Sequence, residues 1–300
     1  MALAELIRVQ SGRSGHMDRN VILKDGRVMP GLGMGTWYMG DSPARAAEEI
    51  EALKSGIDAG ITLIDTAEMY GSGRSERLIG KALKGCRREE LFLVSKVLPN
   101  NAGRRHIFTS LDNTLERLGT DYLDLYLLHW RGGVPLRETV ECMEELTAGG
   151  KIRGWGVSNL DREDMEELFR VPGGEHCLVN QVLYHLGSRG IEYDLLPWME
   201  EHGVACMAYC PLAQAGTLRR GLADSGEVKR VAEKHGVTPL QILLSFTLLR
   251  ENVIPIPKSG KREHVLENAA ALEITLDEED KERLNRAFPA PDHPTYLDIV

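Results

Sequence analysis

Eight short apolar runs alternate with stretches of helical periodicity, and this constrains the chain more than any other feature of it. The runs are Gly31 to Trp37, 62–66, 91–96, 122–129, 153–158, 177–183, Ala205 to Cys210 and 253–257. Helices are predicted from Ser42 and Pro43 to near Gly60, then over 75–84, 105–118, 136–148, 162–170 behind an Asp161 cap, 195–202, Thr238 to about Leu249, and 261–271. A Thr275 to Glu278 capping box opens a last helix to about Phe288, and Thr238 with Gln241 forms another. Strict β/α alternation implies a parallel sheet. Eight such units within ~250 residues close into a barrel. The expected fold is therefore α/β, a (β/α)8 TIM barrel with an N-terminal β-hairpin and extra C-terminal helices. The hairpin is 21–29, turning at Asp25-Gly26. A doubly wound sheet would carry G-x-G-x-x-G after its first strand. Gly31, Gly33 and Gly35 lack the last glycine at the required offset.

Three of the runs end alike. On a strand, alternate residues share a face. Leu63 shares its face with Asp65, Phe92 and Val94 with Lys96, and Leu123, Leu125 and Leu127 with His129. Each face is apolar until its last position, which is ionisable, and in a parallel barrel that position is the C-terminal rim where sites are built. A lysine ending a buried strand needs an anionic partner, and Asp65 stands at the matching place on the preceding strand. Tyr70 follows in the loop after Asp65. A nearby ammonium favours phenolate and lowers the tyrosine pKa from its ordinary ~10, which makes Tyr70 a general acid workable near neutrality. His129 is placed to hydrogen-bond a carbonyl oxygen. An isolated Asp–Lys pair reads as a structural salt bridge and a lone rim histidine as a solvated one. Four such groups at one end of three successive strands read as a site.

No activated nucleophile is evident, so a bound cofactor is expected to carry the hard step. Ser158, Asn159 and Gln181 bring hydroxyl and amide groups to the next two rim positions, suited to a carboxamide. Tyr209, at the seventh strand end, can stack on a flat ring. Lys258, Ser259 and Lys261 lie in a basic cluster just before a helix, a natural phosphate site.

Bulk properties narrow the partners. A net charge of -9 argues against nucleic acid or an anionic membrane surface. Five scattered cysteines without a CxxC pair indicate a reducing, cytoplasmic setting. Nine histidines show no metal-ligand spacing, so no metal is expected. No apolar run approaches the ~20 residues of a membrane span. Residues 1–20 carry Glu5, Arg8, Arg13, Asp18 and Arg19, have no signal-type apolar segment, and read as a disordered extension before a single domain over 21–300.

Taken together, Gly35-Thr36-Trp37, the Ile64 to Tyr70 run, Val94-Ser95-Lys96, the Leu127 to Trp130 run, the Gly156 to Asn159 run, Asn180-Gln181, the Tyr209 to Leu212 run and the Ile256 to Ser259 run resemble the aldo/keto reductase family over about residues 20–300. The stretch from Asn180 to Pro197 resembles its bacterial methylglyoxal and general aldehyde reductase branch. The resemblance implies NADPH-dependent reduction of aldehydes and ketones by a monomer. It makes Tyr70 the acid, Lys96 and Asp65 its supports, and His129 the carbonyl ligand. It assigns the nicotinamide end to Ser158, Asn159, Gln181 and Tyr209, with Gly35, Thr36, Trp37 and Asp65 among the cofactor contacts. Pro211, Leu212 and Arg219 would cover the pyrophosphate, Lys258, Ser259 and Lys261 the 2′-phosphate, and Glu267 and Asn268 the adenine. Trp37 and Trp130 would line the substrate pocket. Two alternatives accompany it: a non-catalytic NADPH-binding regulatory subunit, or a reductase for keto acids, sugars or steroids. His129 argues against the family's carbon–carbon double-bond reductases, which place Glu there. His264 stands where the family carries an arginine that clamps the 2′-phosphate. A neutral imidazole lacks that fork of charge-assisted bonds, so the margin of NADPH over NADH is expected to be small. The stretch after Phe288 is short, which predicts an open, permissive pocket.

Overall fold

The computed structural model describes residues 19–214 and 216–300 of the 300. The extension read over 1–20 lies outside the described residues but for its last two. A two-stranded antiparallel hairpin, β1 (Asn20–Ile22) and β2 (Val28–Pro30), comes first. Gly26 takes φ +86 at its turn, a conformation costly for any residue with a Cβ.

Eight strands follow in chain order: β3 (Gly33–Gly35), β4 (Leu63–Asp65), β5 (Phe92–Val97), β6 (Leu125–Leu128), β7 (Trp155–Ser158), β8 (Val179–Leu183), β9 (Ala205–Tyr209) and β10 (Val253–Pro255). Each pairs in parallel with the next. A parallel bridge from Gly35 to Lys258 joins first to last, with the Gly35 N–H donating to Pro257 O at 3.1 Å. The (β/α)8 barrel is thereby formed.

Alternation along the strands sorts two cores. Leu63, Phe92, Val94, Leu125, Leu127 and Met207 fill the barrel interior. Val21, Leu23 and Met29 of the hairpin belong to that same cluster, so the hairpin plugs the end where the strands begin. The opposite faces pack under the helices, where Ile64, Leu93, Tyr126 and Val157 sit. Leu123 corrects the expected pattern: it belongs to this outer layer. Regular pairing of β6 begins only at Leu125, and Leu123 makes an isolated bridge to Ile152, so the two-residue period does not reach back to it.

The helices are α1 (Ala46–Asp58), α2 (Arg74–Ala82), α3 (Ile107–Leu118), α4 (Leu136–Ala148), α5 (Arg162–Arg170), α6 (Leu195–Glu201), α7 (Thr217–Ala223), α8 (Gly226–His235), α9 (Pro239–Thr247), α10 (Arg262–Ala270) and α11 (Glu278–Ala287). Asp161 caps α5, accepting from the Asp164 N–H at 2.9 Å. Thr238 and Gln241 form the expected box on α9. The last helix starts later than expected: Asp277, not Thr275, is its cap, in a reciprocal box with Asp280. Leu276, 3% exposed, is buried just before it and fixes the entry. Ser42 is extended ahead of a 3-10 turn into α1 but makes no side-chain cap bond. Helices α7 and α8 have no counterpart in the sequence reading.

Gly156 shows how tightly the barrel is filled. A Cβ there would lie 2.5 Å from Val179 O and 2.7 Å from its Cγ2. Overpacking of this kind costs about 1–3 kcal/mol. Gly156→Ala should lower the unfolding free energy by about that amount in urea titration. An unchanged midpoint would mean that β7 and β8 yield freely.

Candidate active site

The C-terminal ends of the strands surround one cleft of about 1020 Å³. Every residue expected at the site lines it except Lys96, Glu267 and Asn268. Lys96 is 0% exposed and lies beneath the wall. Glu267 and Asn268 follow His264 on α10 by three and four residues, which puts them on the same helix face one turn further out.

The strand register assembles the centre. Asp65 pairs across with Val94, and Lys96 stands two residues further along the same face of β5. Its Nζ donates to Asp65 Oδ2 at 2.8 Å, to the Thr66 carbonyl at 2.8 Å and to Tyr70 Oη at 3.2 Å. All three ammonium protons are therefore used. Because the Tyr70 oxygen accepts from Lys96, its own proton is left to point into the cleft. Burial pushes the Asp65 carboxyl up and the Lys96 ammonium down, and their mutual contact opposes both shifts. Burial first, then the Asp65 charge, holds the Tyr70 phenol well above its ordinary value. This reverses the direction expected from the sequence. The ammonium is already balanced by Asp65, so what remains to act on the phenol is its removal from water.

Gln181 extends the centre. Its Nε2 donates to Asp65 Oδ1 at 2.7 Å. Ser158 Oγ donates to the Gln181 carbonyl at 2.8 Å, Asn159 Nδ2 to Ser158 Oγ at 3.2 Å, and Tyr209 Oη to Asn159 Oδ1 at 2.9 Å. The groups expected to hold a carboxamide thus form one hydrogen-bonded chain reaching the acid. That Gln181 also fixes Asp65 is visible only once the barrel brings β8 opposite β4.

His129 is 7% exposed and meets the Tyr70 ring edge-on at 5.8 Å between centroids. Its Nδ1 is buried with no hydrogen-bond partner. Burial, then the Lys96 charge, lowers its pKa to about 3, so the ring is neutral and has one N–H to donate. Trp37 lies 6.5 Å from the Tyr70 ring and Trp130 4.7 Å from that of His129.

Among the described residues, four of the five non-glycine positions with positive φ (Tyr38, Asn159, Cys210 and Ala213) line this cleft, and the fifth, Ser72, sits in the turn after Tyr70. Strain of this kind concentrates at functional sites. Arg219 is tied to the Leu212 and Ala213 carbonyls at 3.1 and 2.9 Å and holds the loop above the cleft.

Sequence reading missed several walls. Tyr38, Arg45, Glu49 and Met69 line the cleft, as do Arg131, Ile299 and Val300. The segment after Phe288 therefore does not leave the pocket open. It runs back along the barrel mouth, with Ser188 donating to Asp298 at 2.5 Å and Ile299 and Val300 lining the cleft beside Tyr209. Among the described residues no cluster of His, Cys, Asp or Glu could hold a metal, and no helix is long and apolar enough to cross a membrane.

With this geometry, similarity to known proteins becomes specific. The aldo/keto reductase family model matches residues 31–288. The methylglyoxal reductase YeaE of Escherichia coli K12 is 51% identical over 285 residues, covering 95% of this chain and 100% of that protein. The glyoxal reductase of Bacillus subtilis is 34% identical, covering 91% and 96%. An aldo-keto reductase from Klebsiella pneumoniae, solved in complex with NADPH, superposes with a TM-score of 0.92 at 52% identity, covering 95% and 100%. The chain belongs to the aldo/keto reductase family and is an NADP-dependent oxidoreductase.

Two buried histidines set a pH limit on the fold. Burial takes His129 to about 3 and His185 to about 4, both below the ordinary 6.5 of a histidine. Between those values and 6.5 the unfolded chain binds the extra protons. Stability present above pH 6.5 should fall as pH drops, by up to ~1.4 kcal/mol per pH unit for each group. Urea midpoints at pH 7, 6 and 5 read this, and a flat series would mean that neither ring is held neutral.

Proposed function

We propose that this protein reduces small reactive carbonyls, methylglyoxal foremost, to alcohols with NADPH, as a cytoplasmic monomer. The observation that carries the reading is the Lys96 ammonium shared by Asp65 and Tyr70 beside a neutral His129. The cleft fits the dinucleotide by its donor set: amide and hydroxyl groups beside the acid, and Lys258, Ser259, Lys261 and His264 at the other end.

The bound cofactor supplies the hydride. The protein does the rest. Asn159, Ser158 and Gln181 would hold the nicotinamide amide and Tyr209 its ring. Gly35, Thr36 and Trp37 form the wall opposite. Pro211 and Leu212 would cover the pyrophosphate, and Glu267 and Asn268 would hold the adenine. Trp37 and Trp130 seat the substrate, and the neutral His129 donates to its carbonyl oxygen. As charge builds on that oxygen, Tyr70 gives up its proton. The phenolate that forms lies 3.2 Å from Lys96 Nζ, so the ammonium stabilises the product side of the transfer. A phenol held neutral beforehand is a donor that is always loaded.

Tyr70→Phe should lower turnover of methylglyoxal by ~10²-fold or more while the NADPH Kd stays near wild type. Retained turnover would remove Tyr70 from the acid role. The missing arginine gives a second test. His264→Arg should raise the ratio of kcat/KM for NADPH over NADH. An unchanged ratio would show that position 264 does not reach the phosphate.

A further inference from the structure

The basic loop at the far end of the cleft rests on a buried carboxylate. Glu49, in the first turn of α1, is 1% exposed and belongs to the cleft wall. Its Oε2 accepts from the Gly40 N–H at 2.8 Å. Its Oε1 accepts no hydrogen bond, and Arg45 Nε stands 3.9 Å away. The chain passes directly overhead: a Cβ on Gly260 would lie 3.2 Å from Glu49 Cγ and 3.7 Å from Oε1. Two residues earlier, Lys258 is drawn down by its burial, and Glu49 is the foremost charge pulling it back.

A carboxylate oxygen held away from water without a hydrogen bond is costly. Helix capping does not explain it, because no side chain caps the N-terminus of α1. What surrounds Glu49 is cationic: Arg45 and Lys258, with Lys261 on the same cleft wall. Those are the cations that a phosphate at this end would also need.

We propose that Glu49 is a specificity-determining residue, an internal anion that competes with the cofactor's 2′-phosphate for Lys258 and Arg45 and so narrows the preference for NADPH over NADH. The inference rests on the reading of this end of the cleft as the phosphate end of the cofactor site. A dianionic phosphate entering the loop meets one fixed negative charge beneath it. A dinucleotide with a free 2′-hydroxyl carries no such charge and is indifferent. Glu49 has almost no accessible surface, so it acts by its field, not by touching the ligand. Its effect therefore separates from its shape. Glutamine retains the size and an acceptor for Gly40 and removes only the charge.

The test is equilibrium binding of NADPH and NADH, read by tryptophan quenching without substrate, for the wild type and Glu49→Gln. The wild type comes first: no saturable NADPH binding would overturn the cofactor reading itself. Given that binding, Glu49→Gln should tighten NADPH by about fivefold, the order of one partly screened ion pair, and leave NADH unchanged. The contrast should recur between 2′,5′-ADP and 5′-AMP. An unchanged ratio, or an equal change for both cofactors, overturns the proposal, since equal loss is what a purely structural role would give. Should Glu49→Gln fail to fold, Glu49→Asp withdraws the charge by one methylene. The ratio should then still move toward NADPH, and a static ratio is equally fatal.

Discussion

A lysine with no exposed surface is the constraint on which the rest depends. Taking an ammonium and a carboxylate out of water costs several kcal/mol for each, and their attraction offsets this only when the geometry is good and the remaining protons and lone pairs are satisfied. The barrel supplies those conditions piece by piece. The β4–β5 register sets Asp65 and Lys96 at 2.8 Å, the Thr66 carbonyl takes a second proton, and Gln181 from the far side of the barrel holds the other Asp65 oxygen. The third proton goes to Tyr70. A barrel of any other register would leave a buried charge unpaired.

On the role proposed for Tyr70, the same arrangement accounts for a phenol that is neutral yet able to react. In the resting protein the ammonium is shared, and burial dominates the Tyr70 equilibrium. Only when negative charge appears on the tyrosine oxygen does the 3.2 Å contact gain its full value. The support is present before it is needed and is aimed at the charge that develops. His129 follows the same logic: burial strips it of a proton, which leaves a donor that brings no charge of its own.

Much of this was legible in the sequence, because a strand buried on both sides reads as an apolar run and an ionisable residue at its end stands out. Asp65, Tyr70, Lys96 and His129 could be grouped for that reason. The direction of the tyrosine shift could not, since it turns on how much water reaches the phenol. Helices α7 and α8 were hidden because the stretch is polar and interrupted at Gly216, Gly221 and Gly226. Glu49 was hidden for the opposite reason. An acidic residue in a first helical turn reads as solvated and dipole-favoured, and the sequence does not show that Gly40 and the distant Gly260, brought across by barrel closure, lie against it. The cap at Asp277 was misplaced by two residues because Thr275 offers the same local chemistry without the buried Leu276 between it and the helix.

The two ends of the barrel are unlike in a way that bears on handling the protein. The hairpin's Val21, Leu23 and Met29 stopper one pole, and the chain enters there at Asn20, remote from the chemistry. At the other pole Ile299 and Val300 form part of the cleft wall, as does Tyr209. Ile299 and Val300 are thus part of the cleft itself, so a bulkier or charged side chain at either position would change the shape of the mouth. Changes to the hairpin's exposed Ile22 and Val28 would leave that mouth untouched.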